Sequence, residues 1–217
     1  MNQILFSSNA KSANKSNSIK KHKKIFYKFQ FTISTVLLLI IVIIYFFITK
    51  SKSSQDLLSQ KITNSYNISR LYNNKFHENS NYNNNGQNFA IIGMIEIESI
   101  NIYYPIISTA TDDLLKISPC RIAGPLPNEN GNLCIAGHNY DNYKFFSQIS
   151  SLKKNSAIKI YDLSGNFLLY YVYDIYEVSA NDLTPLEQPP GSAKQLTLIT
   201  CNNFNSNTRI IVTAFSV

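Results

Sequence analysis

Ile92-Gly-Met-Ile-Glu-Ile-Glu-Ser-Ile-Asn-Ile-Tyr-Tyr-Pro-Ile106 is the stretch on which the fold turns. Apolar and polar residues alternate along it, with a break at Glu98–Ser99. A period of two belongs to a strand with one buried face, so the stretch predicts two short strands joined by a tight turn. Toward the C-terminus the same texture returns. Asn132–Ala136 is a short apolar strand ending at Gly137-His138, and Ala157–Asp162 and Phe167–Val178 flank Ser164-Gly165-Asn166, a hairpin signal. Gln195–Cys201 and Arg209–Phe215 are two further β-rich runs separated by the polar linker 202–208. Between the Ile92–Ile106 stretch and Asn132 lie a short helix over Thr111–Ile117, with Asp112 and Asp113 in its first turn, and a loop from Pro125 to Gly131. Phe145, Phe146, Ile149 and Leu152 have the spacing of one helical face, which predicts a helix over Tyr143–Leu152. Ser179–Lys194, with three prolines and Gly191, is a long loop. About seven or eight short strands with minor helices fit a mainly-β closed sheet or barrel over residues 89–217.

Toward the N-terminus the composition changes. Residues 49–88 are rich in Asn, Ser and Lys and predict a polar stalk, helical near Asp56–Ile62 and otherwise disordered. Before it, Phe31 to Ile48 is an uncharged run broken only by Thr32, Ser34, Thr35 and Tyr45. Its length predicts a helix able to cross a hydrocarbon core of about 30 Å. The first 50 residues hold eight Lys and no acid, which places residues 1–30 on the cytoplasmic side as a basic tail and the remainder outside. A cleaved leader is the rival reading, disfavoured by the length of the basic region and the lack of a clear small-x-small cleavage pair. The net charge of +7 belongs to this tail; beyond it 12 basic residues face 13 acids. The folded part therefore lacks the basic face that nucleic-acid binding requires.

The three cysteines, Cys120, Cys134 and Cys201, leave at least one thiol unpaired in an exported domain. Cys120 and Cys134 read either as a disulfide or as two buried thiols. One His beyond the stalk and three scattered Cys make a poor zinc set. Cys201 ends the run Leu196-Thr-Leu-Ile-Thr-Cys and is followed at once by polar residues, which sets its thiol at a polar edge. If the runs 195–201 and 209–215 pair as a hairpin, Arg209 lies beside it at the same rim. There a guanidinium can stabilise a thiolate or an oxyanion. With His138 as proton carrier, these three are the parts that thiol acyl transfer needs.

At this point the chain resembles the sortases. Gly131-Asn-Leu-Cys-Ile-Ala-Gly-His138 is similar to their strand-to-histidine motif, Thr197-Leu-Ile-Thr-Cys201 to their TLxTC signature, and Arg209-Ile-Ile-Val-Thr-Ala to the strand bearing their arginine. The run from Ile92 to Ile106 resembles their first hairpin, lacking only a Pro near Glu98. The resemblance covers residues 90–217 with the motifs in order. It implies a closed eight-stranded sortase-like β-barrel preceded by one transmembrane helix. It also implies a membrane-anchored cysteine transpeptidase that cleaves an LPXTG-like sorting signal of surface proteins and passes them to a cell-wall amine, with no cofactor. Cys201 is then the nucleophile, His138 the proton carrier and Arg209 the holder of the substrate carbonyl. Thr200, Leu183, Pro185 and Leu186 are the expected substrate contacts. The absence of a second apolar span disfavours the pilin-polymerising branch, the short 202–208 loop disfavours class B, and a class A- or D-like enzyme is expected. The acids are too scattered to claim calcium.

Papain-like enzymes have the reverse order of Cys and His, L,D-transpeptidases carry a Ser-His-Gly-Cys cluster, and caspases a Gln-Ala-Cys context; all three patterns are absent here. The non-enzymatic alternative is a silent membrane-tethered β-domain that binds a wall or surface partner.

Overall fold

The computed structural model describes residues 3–71, 81–84, 86–140 and 142–216. The chain divides into two compact units, one ending at Ser54 and one starting at Gln55. Helix α1 is Gln3–Leu71. Within it, Tyr27–Asn67 is long and apolar enough to cross a membrane, with mean hydropathy 2.9 in its most apolar window. Side chains from Phe31 to Ile48 are exposed throughout.

The second unit is built on strands β1 (Asn81–Asn84), β2 (Gln87–Ile97), β3 (Ile102–Ile107), β4 (Cys120–Ala123), β5 (Gly131–Ala136), β6 (Ala157–Tyr161), β7 (Phe167–Ser179), β8 (Lys194–Cys201) and β9 (Thr208–Ser216). Their order is β1-β2-β3-β4-β5-β8-β9-β7-β6, and β6 returns to pair with β2. Eight strands, β2 to β9, thus form a closed barrel, and β1 is an extra strand on the edge of β2. At the closure Met94 pairs with Tyr161. Gly93 permits it, because a Cβ there would stand 2.1 Å from the Tyr161 carbonyl oxygen.

Alternation along β2 works on both faces. Ile95 and Ile97 point into the barrel with Ile135, Leu198 and Val212. Ile91 and Met94 point outward, into a second cluster with Ile107, Leu114 and Ile117. That outer face is covered by Ile62 and Tyr66 of α1, which are 0% and 1% exposed. The Tyr66 hydroxyl donates to the Asp162 carbonyl at 2.8 Å, and Asp56 pairs with Lys144. Each fully buried side chain of this size contributes roughly 1.5–3 kcal/mol.

Two expectations change. Residues 49–71 are helix throughout, extending the helical stretch expected near Asp56–Ile62, with Leu58, Ile62 and Tyr66 packed on the barrel, and 81–84 and 87–88 are strand rather than disordered. Residues 72–80 and Asn85 of that segment, and Met1 and Asn2 of the basic tail, lie outside the described residues. The helix expected over Tyr143–Leu152 shrinks to one 3-10 turn, Ile149–Ser151. Phe145, Phe146, Ile149 and Leu152 are buried as their spacing requires. Tyr143 and Phe145, however, sit at φ 62° and 52°, which a right-handed helix excludes. The short helix near Thr111 exists as α2, Asp112–Leu115, capped by the Thr111 side chain, which accepts from the Leu114 amide.

Candidate active site

Strand β8 runs between β5, parallel to it, and β9, antiparallel to it. Cys201, the last residue of β8, pairs directly with Arg209. Residues directly opposite in an antiparallel pair send their side chains to the same face. The sequence expectation that a hairpin brings these two together at one rim agrees with this register.

On the other side, the parallel ladder ends at Ala136 opposite Ile199. The chain leaving β5 stays beside β8 nonetheless. The Gly137 amide donates to the Ile199 carbonyl at 3.1 Å, and the Thr200 hydroxyl donates to the Gly137 carbonyl at 2.7 Å. The Asn139 side-chain amide donates to the Cys201 carbonyl at 2.8 Å. His138 stands two residues past the last rung, as Cys201 does on its own strand, and the Thr200 and Asn139 bonds keep the two segments adjacent. Gly137 is the pivot. A Cβ there would lie 2.8 Å from the Phe146 ring, so only glycine lets the chain turn over that buried aromatic.

His138 is half-buried and its ring lies 4.8 Å from that of Tyr140, which in turn leans on Phe145. Its Nε2 is buried without a hydrogen-bond partner in the protein. Burial, and secondarily the Lys116 ammonium, hold the imidazole below its ordinary pKa of 6.5, with Asp112 pulling weakly the other way. The neutral ring, able to accept a proton, is therefore favoured at neutral pH.

Cys201 is exposed, whereas Cys120 and Cys134 are free, buried and pushed up by burial to about 12. Arg209 is half-buried, and its Nη1 donates to the Ser206 and Thr208 carbonyls at 3.0 and 2.9 Å. The turn carrying it is shaped by asparagines. Asn202 accepts from the Phe204 amide, Asn205 accepts from the Asn207 amide, and Asn207 offers its carbonyl to Ala180. Sequence reading treated 202–208 only as a polar linker, and it also passed over Asn139, Tyr140 and Lys116.

The expected substrate contacts separate. Thr200 is buried and its hydroxyl is spent on Gly137. Pro185 is buried, and its carbonyl accepts from Asn132. Gln188 grips the backbone of Asn132 from both sides. Asn132 pairs with Gln195, and from there to Cys201 is roughly 20 Å at 3.3 Å per residue. Pro185 and Leu186 are thus held toward the far end of β5 rather than at the rim. Leu183 alone of the four is fully exposed, at 68%. Among the described residues no group of three or more His, Cys, Asp or Glu is placed to hold a metal.

The family model described as the sortase domain matches residues 95–217. The chain is 30% identical over 125 residues to Sortase A of Bacillus anthracis, covering 57% of this chain and 58% of that protein. It is 29% identical over 124 residues to Sortase A of Staphylococcus aureus, covering 55% and 59%. The chain thus spans less than two thirds of the length of either relative. Among solved structures it is similar to a Clostridium perfringens Sortase D5 transpeptidase, with TM-score 0.59 and 29% identity over 76% of this chain and 99% of that one. It is also similar to sortase C-1 of Actinomyces oris, with TM-score 0.54 and 26% identity over 58% and 74%.

Proposed function

Because this chain belongs to the sortase family, we propose that it is a membrane-anchored cysteine transpeptidase whose site is His138, Cys201 and Arg209. What supports the reading is Cys201 at the end of β8, paired with Arg209 on β9, with the segment bearing His138 tied alongside through Gly137, Thr200 and Asn139. The neutral imidazole takes the Cys201 proton as sulfur attacks a peptide carbonyl. The carbonyl oxygen becomes an oxyanion, and the Arg209 guanidinium, on the strand beside Cys201, is the donor for it; one such donor is worth about 3–4 kcal/mol. The intermediate collapses with cleavage of the C–N bond, and the imidazolium returns its proton to the departing amine. A thioester on Cys201 remains. An incoming amine attacks it, loses a proton to His138 and restores the thiol.

The substrate is a surface protein with an LPXTG-like sorting signal, and the acceptor is a cell-wall amine. Leu183, exposed in the 179–194 loop, is the contact for the signal's apolar end. The apolar run of α1 supports single-pass anchoring, and the lysines before it support a cytoplasmic N-terminus with the barrel outside. Similarity to Sortase A proteins and to the Clostridium perfringens Sortase D5 supports a class A- or D-like enzyme.

The test is a quenched LPXTG-type peptide offered with and without an amine acceptor to the chain from Gln55 onward. Amine-dependent cleavage that disappears in Cys201→Ala supports the proposal. Silence across a broad panel of sorting peptides returns the chain to a tethered binding domain.

A further inference from the structure

Backbone pairing between β5 and β8 stops before the residues that matter. Past Ala136 and Ile199 the two segments are joined, among the described residues, by the Gly137 amide and then by two side chains, Thr200 on the Gly137 carbonyl and Asn139 on the Cys201 carbonyl. The second of these bonds touches the nucleophile's own peptide group. Asn139 is itself held from behind. Its backbone bridges to Phe145, the Phe146 amide donates to the His138 carbonyl at 3.0 Å, and Phe145 and Phe146 are 3% and 0% exposed. The loop bearing His138 is thus anchored in the core, and Asn139 reaches from that anchor to the end of β8, which β9 holds on its other side.

We propose that Asn139 is a positioning residue that holds the Cys201 sulfur in reach of His138 by tying the end of β8 to the histidine loop. The inference rests on the acyl-transfer reading of the site. Asn139 meets Cys201 at its main-chain carbonyl. It acts on Cys201 through one carbonyl, at a strand end where no ladder bond from β5 fixes the chain. Misplacement by about 1 Å of a reacting group costs as much as 100-fold in rate, so a bond of modest strength can carry a large kinetic effect.

The experiment measures alkylation of the full chain in detergent by iodoacetamide as a function of pH, with the label located at Cys201 by peptide mass. Wild type, His138→Ala, Asn139→Leu and Asn139→Ala are compared. Leu matches Asn in size and adds no charge, so it removes the donor without altering the field at the imidazole. In wild type, Cys201 shows a His138-dependent step in reactivity that His138→Ala lacks. Both Asn139 variants lose about tenfold of that step and approach the His138→Ala profile, while their unfolding midpoints stay with wild type. With the LPXTG-type peptide, kcat falls about tenfold and KM changes less than about twofold, since binding is left intact. If the Asn139 profiles overlay wild type while His138→Ala departs from it, the positioning role is overturned and the acyl-transfer reading stands. If His138→Ala also overlays wild type, both fall. Loss of cooperative unfolding in both Asn139 variants would assign the residue to the fold and overturn a role confined to the site.

Discussion

Replacing Ile62 by Ala in a fragment beginning at Gln55 is expected to destabilise the barrel although Ile62 lies outside every strand. Ile62 is 0% exposed and packs in the cluster of Phe89, Ile91, Met94, Ile107 and Leu114. The substitution removes three carbons, about 2.4 kcal/mol at ~0.8 kcal/mol per buried carbon. A cavity between helix and sheet adds to this, and the usual range for such a change is about 2–5 kcal/mol. That is a large part of the 5–15 kcal/mol, approximately, that holds a domain together. At an m-value of about 1.5–2 kcal/mol/M in urea the unfolding midpoint drops by at least about 1 M. Leu57→Ala, at a position 63% exposed on the same helix, is the control and changes stability by less than about 0.5 kcal/mol. Urea unfolding followed by circular dichroism makes the comparison. Equal midpoints for Ile62→Ala and wild type, or a fragment starting at residue 88 as stable as one starting at Gln55, would show that the helix is no part of the domain.

The acid side of the pH–rate profile follows His138. Its pKa is lowered by burial and by Lys116, so the neutral base persists below pH 6.5 and activity is lost only as pH falls through the lowered value. Lys116→Gln moves that limb to higher pH and Asp112→Asn moves it to lower pH; initial rates of peptide cleavage across pH read both, and shifts of the same sign would contradict the electrostatic account. Thr200→Val keeps the shape but leaves the buried Gly137 carbonyl without its donor, costing about 1–3 kcal/mol; an unchanged denaturation midpoint argues against that bond. At pH 7–8 iodoacetamide modifies Cys201 and spares Cys120 and Cys134, whose thiols titrate near 12; peptide mapping with equal labelling of all three would show the barrel to be open.

Much of the barrel was legible because strands declare themselves by period. β2 and β3 read directly from Ile92–Ile106, the β6–β7 hairpin from Ser164-Gly165-Asn166, and the Cys201–Arg209 pairing from two runs separated by a short polar turn. The shortest strands, β1 and β4, at four residues each, are too brief for a period to show. The docking of residues 55–71 left one usable signal, the apolar stripe Leu58, Ile62 and Tyr66 at helical spacing, which the surrounding Asn, Ser and Lys obscured. In 143–152 the same kind of spacing misled, since burial at three- and four-residue intervals can also arise from an irregular loop turned by positive φ. The position of Pro185 and Leu186 was illegible for a different reason. Where a long loop lies on a barrel depends on one distant partner, here Asn132, and no local pattern encodes it. Asn139 was hidden for the same cause, its meaning residing in a carbonyl 62 positions away.

Intact-mass measurement of the chain from Gln55, quenched in acid during turnover of an LPXTG-type peptide without acceptor, shows whether Cys201 carries the acyl group. A thioester adduct equal to the N-terminal part of the peptide is expected, mapped to Cys201, discharged by added amine, and lost in Cys201→Ala. Peptide cleavage that proceeds with no adduct on Cys201, or that survives Cys201→Ala, would contradict it.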